Sequence, residues 1–221
     1  PKLEKVQTGS AVLRSCSKVY RSYLGEISPE AENVICRNFH ADNPNEKWLT
    51  DITEFALLEG KLYLSPIIDC FDGLVVNWTV GRSPNAALVN VMLDQTIAAL
   101  PEGQRHIIHT DCGCHYRWPG WVERVECAGL TRSMSQKGCS PDNSACEGFF
   151  GGLKNEMFYR RSWFGVSLDI FIQELNNYIH WYNHKHIKLS LGGLSPLEFR
   201  HNLSNFLSAP RLFFSVFKSL E

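Results

Sequence analysis

The amino-acid sequence predicts an α/β domain in which a mixed five-stranded sheet is flanked by helices. Three observations predict it. Three segments rich in β-branched and aromatic residues follow one another between residues 47 and 81, the spacing of apolar residues turns helical after Pro84, and short apolar strands near 105–110 and 129–134 then alternate with further helical segments. With 221 residues, 44% hydrophobic and 20% charged, the chain can bury one full core and does not have the composition of a disordered protein. No run of eighteen uncharged apolar residues and no signal-peptide pattern is present, so neither a membrane-spanning helix nor export is expected and the default location is cytoplasmic. Eight cysteines in a chain of this size are expected to be reduced thiols rather than staples. The first residue is Pro1, which suggests a piece of a longer protein.

Residues 1–44 show weak periodicity and form a lead-in with one short helix expected near 28–37, ending at the turn-like ADNPNE. Strands are expected at 47–56, 61–70 and 74–81, with Glu59-Gly60 and Asp72-Gly73 as the turns of an antiparallel meander. Pro84 opens a helix whose Leu88, Val91 and Ile97 recur at helical spacing, and Pro101 closes it. A loop and helix at 115–127 separate the next two strands. Helices follow at 143–159 and at 168–182, where Leu168, Ile172, Leu175, Ile179 and Tyr182 form one apolar face. The element order is that of a ribonuclease-H-like fold over 45–202, followed by an apolar C-terminal tail at 203–221 that is a poor membrane span because of Pro210, Arg211 and Lys218.

Three carboxylates are placed where phosphodiester chemistry needs them. Asp51 lies in the strand-like NEKWLTDITEF, Asp111 follows HIIHT, and Glu147 sits early in the helix-like DNSACEGFFGGLKNEMFY, with 35 residues between the last two. Phosphoryl transfer asks a protein to align a nucleophile with phosphorus and to neutralise charge on the attacking and leaving oxygens, and two Mg²⁺ or Mn²⁺ ions about 3.5–4 Å apart do both. Magnesium prefers carboxylate oxygens and keeps waters and substrate phosphates in its other positions, so a few acids suffice. On one helix Asn143, Glu147, Gly151 and Lys154 fall on one face, which would aim Lys154 toward a phosphate two turns beyond the glutamate. Taken singly, an aspartate beside a strand is more often a turn or cap residue; Asp142 alone could be a helix N-cap.

The segments around these acids carry a resemblance. NEKWLTDITEF, KLYLSPIIDCFDGLVVNW, HTDCGCHY, SMSQKGCSPDNSACEGFFGGLKNEMFY and YIHWYNHKHIKLSLGGLSPLEF, in this order between about Arg21 and Arg200, resemble bacterial insertion-sequence transposases with a retroviral-integrase-like DDE core, and more narrowly the OrfB-type subunit. The resemblance implies cleavage at element ends and transfer of the exposed 3′-hydroxyl to another phosphodiester. It makes Asp51, Asp111 and Glu147 the catalytic, metal-binding acids, with two Mg²⁺ or Mn²⁺ ions when DNA is bound. It makes Lys154, Asn143, Lys137 and His186 candidate DNA contacts. DNA ends and target, a homo-oligomer that synapses the ends, and an upstream helix-turn-helix region or subunit absent from this chain are the implied partners.

Three positions depart from the family pattern: Cys112 where Gln or Arg is usual, Gly152 where Arg is common, and His186 in place of the Arg of Y-N-x-x-R. Each removes a cation or polar group from the expected DNA path, and neither His nor Gly gives the bidentate phosphate contact of Arg. A catalytically impaired remnant that only binds DNA or a partner is therefore the alternative. The charge pattern allows a basic surface beside an acidic pocket, with nine acids against four bases over 38–110 but five bases against three acids over 131–161. A zinc site is a further alternative, since His106, His109, Cys112, Cys114 and His115 crowd one segment and Cys127, Cys139 and Cys146 follow, though without a paired C-x-x-C. His109 and Tyr116 flank the second acid, Trp118, Trp121 and Trp181 could stack on bases, and Asp69 and Asp72 are read as turn residues, with core packing the commoner fate of the aromatic residues.

Overall fold

The computed structural model describes residues 27–100 and 106–208. The first part of the lead-in and residues 209–221 of the apolar tail lie outside these. The expected strand at 47–56 is present but interrupted: β1 (Lys47–Thr50) and β2 (Thr53–Leu57) both pair antiparallel with β3 (Gly60–Asp69). Thr50 pairs with Ile67 and Thr53 with Leu64, so both halves keep one register and Asp51 falls opposite Pro66. Proline has no N–H to give to a ladder. The strand is broken at the residue that carries the first acid.

β4 (Val75–Gly81) pairs with the other side of β3 and completes the antiparallel meander. After the helix α1 (Ala86–Ala98), capped by the Asn85 side chain accepting from the Leu88 N–H, β5 (Ile107–Thr110) returns parallel to β1, and β6 (Thr131–Met134) adds in parallel to β5. Counting β1 and β2 as one broken strand, the sheet has five positions, as expected. A short 3₁₀ turn at Cys114–Tyr116 and α2 (Pro119–Cys127) connect β5 to β6. Beyond the sheet come α3 (Ser144–Leu153), a π-helical turn at Lys154–Phe158, α4 (Leu168–Lys185) and α5 (Pro196–Ser208).

Alternation along the strands divides the core between the two faces of the sheet. Leu49, Phe55, Leu62 and Leu64 pack with Phe150 and Leu153 of α3 and with Phe171, Leu175 and Ile179 of α4. Trp48, Ile67 and Ile108 pack on the opposite face with Val89, Met92 and Leu93 of α1 and Trp121 and Val125 of α2. Helices thus cover both faces, which suits the parallel strands β1, β5 and β6. Among the described helices, none is long and apolar enough to cross a membrane.

The helix expected near 28–37 is not formed. Residues 27–46 contain turns and bends, because their backbone donors are taken elsewhere. Val34 N–H and Ile35 N–H both donate to Ser133 Oγ, at 2.9 and 3.3 Å, and Cys36 N–H donates to the Asn33 side chain at 2.9 Å. Cys36 and Arg37 then take φ of 49° and 64°, which a right-handed helix cannot accommodate. This segment is pinned to the end of β6.

Candidate active site

Parallel pairing of β1 with β5 sets Thr50 beside Thr110, so Asp51 and Asp111 leave adjacent strand ends side by side. Asp51 Oδ1 accepts from its neighbour's Ile52 N–H at 2.7 Å, and Oδ2 accepts from Asn143 Nδ2 at 2.8 Å. Asp111 Oδ1 accepts from Gly113 N–H at 2.9 Å. A Cβ at position 113 would stand 2.8 Å from that same oxygen, so the loop can wrap the carboxylate only with glycine there. Glu147 lies in the first turn of α3, one turn beyond Asn143, and is exposed. The three acids, Asn143 and Lys137 line one cleft of about 720 Å³.

Electrostatics in the cleft reflect burial first and crowding of like charge second. Burial, and after it the charge of Asp111, push the Asp51 carboxyl up to about 6, against the hydrogen bonds from Ile52 N–H and Asn143 that favour its ionised form, with Glu147 adding a smaller upward push. Among the described residues no three His, Cys, Asp or Glu side chains gather tightly enough to enclose one ion. The carboxylates therefore face an open cleft rather than closing a cage.

The remaining candidates divide. Lys137 is exposed on the rim of the cleft, on the loop after β6. Lys154, where α3 passes into the π-helical turn, holds its ammonium 5.5 Å from the centroid of the Phe55 ring, roughly 10 Å along the helix from Glu147 at 1.5 Å per residue. His186 caps α4, hydrogen-bonds Glu156 at 3.3 Å and packs edge-on to Trp181, in a hollow separate from the cleft. Of the other departures, Cys112 Sγ donates to the Ser135 carbonyl at 2.7 Å, and Gly152 has open space where a Cβ would be.

The residues of the zinc reading do not converge. His106 stacks on Trp48, His115 bonds the Pro84 carbonyl, Cys146 is buried in the α3 core, and His109 is a buried core histidine bonded to Ser133 and Ser135 hydroxyls and to the Asp142 carbonyl. Burial lowers the His109 pKa, so its neutral form is the one packed here. Cys36, Cys70, Cys112, Cys114, Cys139 and Cys146 are free thiols. Trp121 is buried in the core, Trp118 packs edge-on to His115, and Trp181 is half-exposed.

Two ion-pair groups whose partners the sequence did not reveal hold the site's surroundings. Asp142, 3% exposed at its side chain, is not the N-cap its position suggests: Oδ1 accepts from Arg37 Nε at 2.6 Å, and Oδ2 from Asn33 Nδ2 at 2.9 Å and Gln136 N–H at 3.0 Å. It ties the lead-in segment and the Lys137 loop to the residue preceding Asn143. At the other end of the sheet Arg200 of α5 forks onto the buried Asp69 and Asp72 at 2.6–2.9 Å, so these are ion-pair partners of the last helix as well as turn residues. Only long-range pairing reveals either role, and no local pattern carries it.

A broken strand, the parallel strands β5 and β6 beside it and three carboxylates on one cleft make up the candidate site. Models of the integrase core domain match residues 41–140 and 147–203. The chain is 56% identical over 182 residues to the "Probable transposase for insertion sequence element IS1353" of Shigella flexneri, a match covering 82% of this chain and 35% of that protein. It is 41% identical to an "Uncharacterized transposase-like protein" of Haemophilus influenzae, covering 90% and 91%, and 33% identical to "Transposase InsF for insertion sequence IS3A" of Escherichia coli, covering 81% and 62%. This chain thus spans about a third of the Shigella relative. Solved structures similar in fold include the simian T-cell lymphotropic virus intasome (TM-score 0.63, 19% identity, 86% of this chain and 62% of that one). The HTLV-2 integrase catalytic core in complex with magnesium is another (TM-score 0.54, 19% identity, 72% and 97%). The chain belongs to the insertion-sequence transposases of the IS3 family, as an OrfB-like chain with an integrase core domain.

Proposed function

We propose that this chain is the catalytic core of a DNA transposase, cutting strands at the ends of its element and joining the 3′-hydroxyl to a target phosphodiester in a divalent-metal-dependent reaction. The observation that carries the proposal is the meeting of Asp51, Asp111 and Glu147 on one cleft, with Asn143 fixing one oxygen of Asp51. The donor set suits magnesium, which takes one or two carboxylates and fills its other positions with water and phosphate oxygens, and an open, like-charged pair of aspartates is what such an ion relieves. Asp51, Asp111 and Glu147 would hold it. When bound, the metal supplies a nucleophile and neutralises charge on the leaving oxygen. The magnesium in the HTLV-2 core supports the same reading.

The chain's own residues orient. The Ile52 and Gly113 N–H groups and Asn143 fix one or both oxygens of each aspartate, leaving Glu147 free to swing across the cleft. Lys137 on the rim and Lys154 further along α3 are the proposed phosphate contacts, with His186 a more distant one. In the transfer step the 3′-oxygen gives its proton to solvent and forms a bond to phosphorus, while the bond to the target's 3′-oxygen breaks and that oxygen leaves and takes a proton from solvent. DNA ends, target DNA, a homo-oligomer and an upstream DNA-binding region are the proposed partners. Strand transfer from a pre-cleaved end in Mn²⁺, with the upstream region of a relative restored, tests the proposal. Asp111→Asn is expected to lose more than about 100-fold, because even residues behind metal ligands cost 10–100-fold. Activity that survives Asp111→Asn places the chemistry elsewhere.

A second reading has its own observation. The Cys112 thiol is turned to Ser135, Gly152 offers no side chain, and His186 is engaged with Glu156, so in this reading the three positions where the family resemblance implies a cation or polar group offer none free for DNA. A DNA-binding remnant that no longer cuts would bind DNA in the same assay without forming product.

A further inference from the structure

Two consecutive residues ahead of the sheet, Cys36 and Arg37, stand in the left-handed region at φ of 49° and 64°. Residues with a Cβ adopt it only at a cost, so such a turn has to be held in place. It is held by Asn33, whose Oδ1 accepts from the Cys36 N–H at 2.9 Å, and by Ile35, which is buried in the core. What the turn achieves is the aim of Arg37. The guanidinium Nε donates to Asp142 Oδ1 at 2.6 Å, 105 positions away, and Nη2 donates to Cys139 Sγ at 2.9 Å. Asn33 Nδ2 donates to the other Asp142 oxygen at 2.9 Å, so one asparagine both locks the turn and shares its target.

That target is the residue before Asn143. Asn143 stands at the N-cap position of α3, where an asparagine side chain ordinarily accepts an N–H of the first turn. It makes no such bond, and its Nδ2 donates instead to Asp51 Oδ2 at 2.8 Å. The peptide that joins residues 142 and 143 is gripped from two sides. The Asp142 carbonyl bonds His109 Nε2 of β5 at 3.0 Å, and the Asp142 carboxylate carries Arg37, Asn33 and the Gln136 N–H. The direction in which Asn143 presents its amide is therefore fixed from the sheet by His109 and from the lead-in by Arg37. A hydrogen bond, a peptide link and a second hydrogen bond connect Arg37 to the first acid of the cleft.

We propose that Arg37 is a positioning residue of the active site: through Asp142 and Asn143 it sets the orientation of the Asp51 carboxylate, and with it the cation affinity of the cleft. The segment ahead of the sheet is thereby coupled to the site rather than merely packed beside it. Groups that orient metal-holding carboxylates typically contribute about 10–100-fold in affinity, and Arg37, one step further out than Asn143, belongs at the low end. The inference rests on the reading of Asp51 and Asp111 as cation-holding residues.

Mn²⁺ binding, followed by loss of the free-ion signal in electron paramagnetic resonance, tests it on Arg37→Ala, Arg37→Lys, Asn143→Ala, the Arg37→Ala/Asn143→Ala double variant and Asp111→Asn. The Asn143 side-chain amide resonance is followed alongside in the metal-free proteins, identified by its absence from Asn143→Ala. Arg37→Ala is expected to weaken Mn²⁺ binding by about tenfold and to move that resonance toward its position in Asp51→Asn, where the acceptor is altered. The double variant is expected to bind no more weakly than Asn143→Ala, since both changes act through one bond. Arg37→Lys keeps a cation on Asp142 and is expected to bind as the parent does. Urea unfolding fixes the folded fraction of each variant; at about nine-tenths folded, unfolding alone changes the apparent affinity by only about a tenth, so a merely structural role leaves binding near parental. An unmoved Asn143 resonance or parental binding in Arg37→Ala, equal weakness in Arg37→Lys, or losses that add in the double variant overturns this inference, and lost binding in Asp111→Asn then leaves the aspartate site standing. Parental binding in Asp111→Asn, or no binding by the parent, overturns the aspartate site and this inference with it.

Discussion

Replacing Asp142 by Asn keeps its shape and removes its charge at the hub that joins the lead-in, the Lys137 loop and the residue preceding Asn143. The carboxylate serves donors on both oxygens, Arg37 on one and Asn33 and Gln136 N–H on the other. An amide has one oxygen, so whichever way it turns its NH₂ faces a donor. Hydrogen bonds to charged groups contribute about 1.5–3 kcal/mol each, and because Arg37 is half-exposed and regains water, a net loss of about 2–3 kcal/mol is expected. For a domain of this size that corresponds to a fall in Tm of about 5–10 °C.

The dependence on pH discriminates this cause from a packing defect. Arg37 chiefly, with Gln136 N–H, holds the Asp142 carboxyl at about 2, below its ordinary 3.8. A depressed carboxylate contributes stability that is complete above its unfolded pKa and is lost as pH falls through the folded one. The gap between parent and Asp142→Asn in urea unfolding should therefore be full at neutral pH, begin to close below about 4 and be nearly gone near 2. A gap that stays constant to pH 2.5, or that is absent at pH 7, refutes the assignment of Asp142 as a charged clasp.

Other substitutions separate stability from function. Arg200→Ala leaves Asp69 and Asp72 buried without their cation and should cost about 3–5 kcal/mol in urea unfolding; a cost under about 1 kcal/mol would mean that the pair is solvated in practice. Gly113→Ala drives a methyl against Asp111 Oδ1, so strand transfer should fall at least about tenfold while Tm moves by no more than a few degrees, and unaltered activity would show that the loop wraps the carboxylate differently. Lys137→Ala should weaken DNA binding evenly across sequences and reduce the slope of log affinity against log salt by about 1; an unchanged slope removes Lys137 from the phosphate path.

The strands, the order of elements and the apolar face of α4 were legible because they are written in local periodicity. Leu175, Ile179 and Tyr182 are buried as their spacing requires. The acids were legible as an order and a spacing, and the parallel register of β1 and β5 brings two of them together. What could not be read depends on contacts between distant residues. The helix expected near 28–37 loses to Ser133, about a hundred positions away, which takes the backbone donors of Val34 and Ile35. Asp142 has the composition of an N-cap, and only folding supplies Arg37. The face carrying Glu147 and Lys154 was read as one site, yet Lys154 reaches Phe55 on β2, because the strand beneath α3 runs on past the acids.

The clasp of Arg200 on Asp69 and Asp72 also has a consequence for the order in which the molecule is made. The two aspartates emerge from the ribosome about 130 residues ahead of the guanidinium that neutralises them. At about 5–20 residues per second that is an interval of roughly 6–26 seconds. During it the turn between β3 and β4 can close only with its carboxylates hydrated or protonated. The C-terminal helix therefore acts as a late latch on a sheet whose other pairings can already have formed, and a nascent chain released before residue 200 would carry the sheet without its latch.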